Sequence, residues 1–190
     1  MPIKTVSLYT GSSYCKNDAA FQQRCVAATK AMARLAGENA DLVLYGGGLY
    51  GHLQDVMDEV GKIGGQMQAL ISPAYFDPAE VYPSHVDVKR VVDDQERTKL
   101  FLGADAHIVT PGGDGTICEA FFSHNDNLAK LYGGGAMKPV AILNLDGYYD
   151  GLRAWFAKAT AVGYSNPERQ KNLHFIDTPE DVAQLLWPKP

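Results

Sequence analysis

The chain has 190 residues, of which 46% are hydrophobic, and this length is sufficient for one compact domain with a substantial core. Its 17 Lys and Arg residues against 22 Asp and Glu residues give a formal net charge of −5, without the basic stripe that nucleic-acid binding requires. We therefore expect a single domain over residues 1–190 that binds no nucleic acid. A small anionic ligand in a local pocket stays compatible with this charge.

Cysteine spacing and hydropathy indicate the compartment. Cys15, Cys25 and Cys118 show no CxxC spacing, so neither a disulfide framework nor a zinc site is indicated, and the five histidines lack metal-ligand spacing. The first residues do not follow the basic-then-apolar pattern of a signal peptide, and no apolar run has the length of a membrane span. We expect a reduced, cytoplasmic protein with no metal, no cofactor and no membrane contact.

Apolar strands alternate with amphipathic helices along the chain. The patterns predict strands at residues 5–9, 41–45, 67–71, 86–92, 106–110, 140–144 and 173–176. They predict helices at residues 19–35, 52–63, 93–102, 116–132, 149–161 and 179–186, and a proline-interrupted loop of the kind that covers active sites at 72–85. Apolar strands joined by crossover helices require a parallel sheet that is covered on both faces. The predicted fold class is α/β, a Rossmann-like doubly wound parallel sheet with helices on both faces.

Glycine- or serine-rich loops follow three of these strands. Since the carboxyl ends of parallel strands meet at one edge of a sheet, the three loops should converge on one crevice. Glycines lack the Cβ atoms that would keep a ligand away from the backbone, and the N-terminus of the following helix attracts anions, so a phosphate is the expected occupant. The candidate binding residues are Gly11, Ser12, Ser13, Gly46, Gly47, Gly48, Gly112, Gly113, Asp114, Gly115 and Thr116.

The segment from Pro111 to Glu119 has the form P-G-G-x-G-T-x-x-E and resembles the hallmark of the LOG ("lonely guy") family, formerly labelled lysine decarboxylase-like. The loops at 11–13 and 45–48, the pair Glu96-Arg97 and the segment 138–149 resemble the family in the same order, so the likeness covers residues 5–190. It implies a Rossmann-like homodimer that hydrolyses the N-glycosidic bond of adenosine 5′-monophosphates, typically N6-prenylated, to a free base (a cytokinin) and ribose 5-phosphate.

The resemblance also implies roles for individual residues. Glu119 and Arg97 would be catalytic, with Arg97 orienting the nucleotide and Glu119 stabilising the oxocarbenium-like state or orienting a water. We expect the helix dipole to keep Glu119 ionised in the first helical turn. The spacing around Arg97 departs from the family pattern, so Arg90 stays the alternative. Thr116 and Glu119 also have the spacing of a capping box, a structural role that does not exclude catalysis.

Two other classes of function remain open. The glycine-rich turn with Asp114 also resembles the nucleotide loop of lipid or NAD kinases, which would make the protein a phosphotransferase. Alternatively, a glycine-lined crevice binds a nucleotide or a molybdenum cofactor without turnover, as in carrier proteins of this sheet architecture. Of the histidines, His107 is expected in the core, whereas His52 could reach a ligand.

Overall fold

A computed structural model describes residues 2–188 of the chain. All seven predicted strands form one fully parallel sheet, and the strand order is β4-β3-β2-β1-β5-β6-β7. The strands are β1 (Thr5–Tyr9), β2 (Leu42–Tyr45), β3 (Met67–Ile71), β4 (Val86–Arg90), β5 (Ala106–Val109), β6 (Val140–Leu143) and β7 (Leu173–Ile176). The α/β fold predicted from the alternating pattern is confirmed.

Seven α-helices lie between or after the strands in the described residues. They are α1 (Ala19–Asn39), α2 (Gly51–Lys62), α3 (Asp94–Gly103), α4 (Asp114–Gly133), α5 (Asp150–Ala161), α6 (Pro167–Gln170) and α7 (Pro179–Leu186). Six of them match the predicted helices, with ends that differ by up to four residues. The sequence did not predict α6, because four residues carry no hydrophobic period; its start is fixed by the Asn166 side chain, which accepts the Glu168 N–H. In the residues that the structure describes, no helix is both long and apolar enough to span a bilayer.

The core lies on both faces of the sheet. Side chains of α1, α2 and α7, among them Met32, Val56 and Val182, pack on one face around Val6 and Leu8. Side chains of α3, α4 and the start of α5 pack on the other face around Tyr9, the residue after Leu8. They include Phe101, Ala120 and Tyr149. Alternate residues of β1 thus point to opposite faces, as the pleat requires.

The direction of strand addition reverses at β1, which pairs with β2 on one side and β5 on the other. In doubly wound sheets, ligands bind outside the carboxyl ends of the strands at such a reversal. Residues 10–13 directly follow β1 and residues 110–113 follow β5; they are two of the three glycine- or serine-rich segments, and the third follows the adjacent β2.

The start of α4 corrects one expectation. The helix begins at Asp114 and not at Thr116, with Gly113 at the N-cap in an extended conformation (φ −90°, ψ −156°) and no capping side chain. The predicted capping box is therefore wrong, since Thr116 lies inside the first turn and Glu119 in the second. A glycine backbone forms the bend here, and the capping side chain that the sequence favoured at this bend is not used.

Candidate active site

A cleft of about 410 Å³ opens at the carboxyl ends of β1, β2 and β5, which is a volume typical of small-molecule sites. The three glycine-rich loops lie around this one cleft, as expected from the parallel topology. The loop residues that line it are Gly11, Ser12, Ser13, Gly46, Gly47, Gly48, Gly113, Asp114, Gly115 and Thr116. The 72–85 loop adds Tyr75 and Glu80, which the sequence did not single out.

Arg97 and Glu119 meet in the wall of the cleft. Nη1 of Arg97 lies 3.0 Å from Oε1 of Glu119, and about a fifth of each side chain is exposed (21% and 22%). Nε of Arg97 donates a hydrogen bond to the Leu70 carbonyl at 2.9 Å, and the guanidinium carbon lies 4.9 Å from the centre of the Phe101 ring. The guanidinium is thus fixed by a strand carbonyl, an aromatic ring and a carboxylate, which leaves it little freedom to change position.

The ionisation of Glu119 depends on this arginine. Burial raises the pKa of the Glu119 carboxyl, and the charge and hydrogen bond of Arg97 oppose that rise. The expectation that the helix dipole keeps Glu119 ionised is wrong, because the dipole acts on the first turn and Glu119 lies in the second. Asp114 lies at the first helical position, where its negative charge is favoured despite its place beside an expected phosphate site.

Arg90, the alternative to Arg97, lies outside the cleft lining. Arg90 ends β4, and its guanidinium carbon stacks 4.0 Å from the centre of the Phe76 ring, away from the cleft. Of the two arginines that the sequence offered, only Arg97 is close to Glu119. Arg90 therefore serves as a natural control for experiments on Arg97.

Gly112 differs from the residues that follow it. Its N–H donates to the Tyr149 hydroxyl at 3.1 Å, and its carbonyl accepts from the Tyr148 hydroxyl at 2.9 Å. The Tyr149 hydroxyl in turn donates to the Thr110 carbonyl at 2.9 Å. Gly112 was expected among the ligand-binding residues, but its polar groups are used inside the protein, and it does not line the cleft. The Tyr148 and Tyr149 hydroxyls together anchor this turn.

The N–H groups that remain for an anion are those of the first turn of α4. Backbone N–H groups at a helix start have no intrahelical partner, and here they belong to Gly113, Asp114, Gly115 and Thr116. These residues all line the cleft. The geometry supplies a concave, electropositive end that suits a phosphate group.

The histidines lie outside the cleft lining. His107 is fully buried, as expected, beside the Tyr9 hydroxyl. His52 is also buried; its Nδ1 lies 3.4 Å from a carboxylate oxygen of Asp55, and its ring stacks edge-on against Tyr14. Nowhere in residues 2–188 do three or more His, Cys, Asp or Glu side chains group in a way that could hold a metal ion.

Comparison with known proteins identifies a matching family and relatives of this chain. A family model described as "Possible lysine decarboxylase" matches residues 53–186. A probable cytokinin riboside 5′-monophosphate phosphoribohydrolase of Oryza sativa subsp. japonica is 30% identical, over 96% of this chain and 72% of the relative. Enzymes named cytokinin riboside 5′-monophosphate phosphoribohydrolase are 30% identical in Arabidopsis thaliana (96% of this chain, 81% of the relative) and 29% identical in Mycobacterium tuberculosis (95% and 94%).

Solved structures with the same fold include molybdenum cofactor binding and carrier proteins. A molybdenum cofactor binding protein from Rippkaea orientalis matches with a TM-score of 0.68 and 15% identity over 98% of this chain and 96% of that one. The molybdenum cofactor carrier protein of Chlamydomonas reinhardtii matches with a TM-score of 0.64 and 14% identity over 97% and 96%. At these identities the likeness establishes the fold alone.

The sheet order, the cleft at the strand reversal and the P-G-G-D-G-T turn define a Rossmann-like α/β protein with a glycine-lined cleft. The family match and the relatives together identify the chain as a member of the LOG family.

Proposed function

We propose that this protein is a phosphoribohydrolase that cleaves the N-glycosidic bond of adenosine 5′-monophosphates. AMP is the minimal substrate, and an N6-substituted AMP, the cytokinin nucleotide class of the named relatives, is the better one. The observation that carries the proposal is the Arg97–Glu119 ion pair at 3.0 Å, which lies in the same cleft as the helix start that suits a phosphate.

The phosphate is the anchor of the substrate in this proposal. The N–H groups of Gly113, Asp114, Gly115 and Thr116 bind it at the start of α4, and Ser12 and Ser13 face it from the loop after β1. Gly112 acts through the Tyr148 and Tyr149 hydroxyls to hold the shape of the turn. A firmly held phosphate fixes the position of C1′ relative to the side chains in the wall, which is the main contribution that binding makes to rate.

Glu119 and Arg97 act at the anomeric carbon. As the bond from C1′ to the base nitrogen breaks, the bonding electron pair leaves with the purine and positive charge develops on the ribosyl ring. The Glu119 carboxylate stabilises that charge and orients the water whose oxygen bonds to C1′. One proton of that water is lost and one proton is taken up by the departing base, so the products are the free base and ribose 5-phosphate. Arg97 keeps Glu119 ionised and in position.

We extend the proposal to the protein as a whole: one domain that works in the cytoplasm as a homodimer, with no cofactor or metal in the reaction. The resemblance to the LOG family is the ground for the dimer, and cysteines without disulfide spacing are the ground for the compartment. Light scattering of the purified protein tests the dimer, and activity in the presence of a chelator tests the metal-free reaction.

The decisive experiment is incubation with AMP and with N6-isopentenyl-AMP, followed by chromatography for the free base and ribose 5-phosphate. Glu119→Gln keeps the shape of the side chain and removes its charge, and we expect it to lower kcat by about 100-fold or more. Arg97→Lys should have a comparable effect, because lysine cannot both contact the carboxylate and keep the hydrogen bond to the strand carbonyl. Arg90→Lys is the matched control, expected to retain wild-type rates.

Other results would favour other functions. No base released from any nucleotide, together with tight nucleotide binding, would identify a carrier and refute the enzyme. ATP consumption with Mg²⁺ and no base release would identify a phosphotransferase. Equal losses in Arg90→Lys and Arg97→Lys would remove the specific role given to Arg97.

A further inference from the structure

The loop that carries Ser12 and Ser13 is not fixed by its own backbone. Both serines line the cleft, yet residues 12–17 form no backbone-to-backbone hydrogen bond with any part of the chain that the structure describes. A surface segment without such bonds has little local stability of its own. The position of the two serines therefore depends on the side chains and the helix that pack against this loop.

The start of α2 packs directly on these serines. At Gly51, the first residue of the helix, a Cβ atom would lie 2.9 Å from the carbonyl carbon of Ser12 and 3.0 Å from Cα of Ser13, so helix and loop touch backbone to backbone. The next residue, His52, is buried, and its ring stacks edge-on against Tyr14 with the ring centres 5.0 Å apart. The loop is thus held at two neighbouring residues of α2.

The His52 ring is in turn held by Asp55. Nδ1 of His52 lies 3.4 Å from Oδ2 of Asp55, and Oδ1 of the same carboxylate lies 3.2 Å from Nζ of Lys30 on α1. Burial lowers the pKa of His52 and the Asp55 charge opposes that change, so the ring stays mostly neutral at pH 7 and packs as an aromatic group. Burial, and then the charge of Asp55, also raise the pKa of the Tyr14 phenol. Contacts therefore run from α1 through Asp55 and His52 to Tyr14.

A second buried carboxylate on α2 provides an internal comparison. Glu59 lies one helical turn after Asp55, and it too pairs with a cation of α1, since its Oε2 lies 2.8 Å from Nη2 of Arg34. Asp55 lies one turn from Gly51 at the cleft end of the helix, whereas Glu59 lies two turns from it. Both carboxylates join α2 to α1, but the contact with the loop belongs to Asp55 through His52.

We propose that His52 and Asp55 are positioning residues for the substrate phosphate, although neither lines the cleft. Asp55 orients the His52 ring, and the ring holds Tyr14. Tyr14 keeps the two serines that precede it against the phosphate. The inference rests on the proposed function for the identity of this anion.

The expected effect is on binding more than on the chemical step. When the serines move, the N–H groups at the start of α4 still hold the phosphate, so C1′ keeps its place beside Glu119. A contact that is made equally with the substrate and with the transition state changes KM and leaves kcat nearly unaltered.

The first test compares Asp55→Asn with Glu59→Gln. Each variant removes a buried charge that pairs with α1, so both should unfold at lower urea concentrations than the wild-type protein. Only Asp55→Asn should raise KM for AMP, by about tenfold, the size of one lost hydrogen bond to a charged group, with kcat within about threefold of wild type. Equal KM values in the two variants would overturn the inference.

Tyr14→Ala tests the last contact without disturbing the helix pair, because 39% of Tyr14 is exposed. In calorimetric titrations the Kd for ribose 5-phosphate should rise about tenfold, whereas the Kd for adenosine, which has no phosphate, should not change. Tyr14→Phe keeps the ring against His52 and should lose less affinity than Tyr14→Ala. Unchanged binding of ribose 5-phosphate in Tyr14→Ala, or equal weakening of both ligands, would overturn the inference.

The titrations need no catalysis, and they decide the matter if Asp55→Asn does not fold. A wild-type protein that releases no base, together with phosphate-dependent loss of binding in Tyr14→Ala, refutes the proposed function alone. Hydrolysis of AMP with unaltered binding of ribose 5-phosphate in Tyr14→Ala refutes this inference alone.

Discussion

Replacement of Gly112 by alanine tests whether the P-G-G-D-G-T turn is shaped by packing. A Cβ atom at Gly112 would lie 2.7 Å from Cβ of Thr116 and 2.9 Å from the backbone nitrogen of Gly11, and closer still to the Thr116 hydroxyl oxygen. Non-bonded heavy atoms are comfortable at about 3.5–4.0 Å. The hydroxyl can rotate away, but the other two atoms belong to a helix and to a neighbouring loop, so the backbone must move.

We expect Gly112→Ala to lower the free energy of unfolding by about 1–3 kcal/mol, the usual cost of an added carbon in a packed site. The shift displaces the N–H groups that follow, and a displacement of about 1 Å at a positioning group lowers the rate about 100-fold. Urea unfolding followed by circular dichroism measures the first effect, and hydrolysis of AMP measures the second.

Gly113→Ala and Gly115→Ala are the matched controls for stability, because a Cβ at either position meets nothing within 4 Å. Gly113→Ala should be close to neutral, and Gly115→Ala, inside the first turn of α4, should stabilise by up to about 1 kcal/mol through helix propensity. If Gly112→Ala unfolds at the same urea concentration as Gly113→Ala, the packing argument for this turn is refuted.

Three further predictions follow from the hydrogen bonds and charges of the site. Tyr149→Phe leaves the Gly112 N–H and the Thr110 carbonyl without their buried hydroxyl partner, so it should destabilise the protein by about 2 kcal/mol and raise KM for AMP more than it lowers kcat. Tyr148→Phe, at an exposed ring, should cost under about 1 kcal/mol, and equal costs of the two variants in urea unfolding would contradict this prediction. Burial lowers the pKa of His107 to about 3, so the unfolded chain takes up a proton below pH 6.5 that the native state refuses, and stability falls as pH drops from 6.5 toward 3. From pH 7 to pH 5 the stability advantage of wild type over His107→Gln should shrink by about 2 kcal/mol, and an unchanged difference in urea unfolding would refute the assignment. Burial raises the pKa of Glu119, so activity should be lost in acid at a higher pH than an ordinary carboxyl would give, and the acid limb of the kcat profile should move higher still in Arg97→Ala; an unmoved limb would show that Arg97 does not hold the charge.

The fold could be predicted from the sequence because the hydrophobic patterns that indicate its strands and helices are local. The four residues of β5 are all buried, as are those of β6, and such short apolar runs between helical patterns are typical of a parallel sheet covered on both faces. The start of α4 was misplaced because Gly113 bends the chain through its backbone alone, while Thr116 and Glu119 only mimic the capping pattern. A backbone cap leaves no side-chain signature in the sequence.

Some cleft residues could be predicted from the order of the strands, whereas the roles of others depend on contacts between residues that are distant in sequence. The glycine-rich loops could be assigned to one crevice from strand order, but Arg97 was chosen by family resemblance, since nothing in its local pattern separates it from a surface arginine. The role of Tyr149 was missed because it depends on a contact with a turn that is distant in sequence, that of Gly112. Such contacts follow from the folded arrangement and not from any short motif.

The anchoring of Gly112 by two tyrosines has a consequence for how a ligand is met. Because the polar groups of that residue already have protein partners, the bend that we propose to bind the phosphate keeps its form before any ligand arrives. The conformational entropy of this bend is lost during folding, so the binding of a ligand does not carry that cost a second time. Fixed dipoles of this kind favour a charged transition state without rearranging as the reaction proceeds. If the proposed site is right, we therefore expect substitutions at Tyr148 and Tyr149 to alter the affinity for phosphorylated ligands without direct contact between these side chains and the ligand.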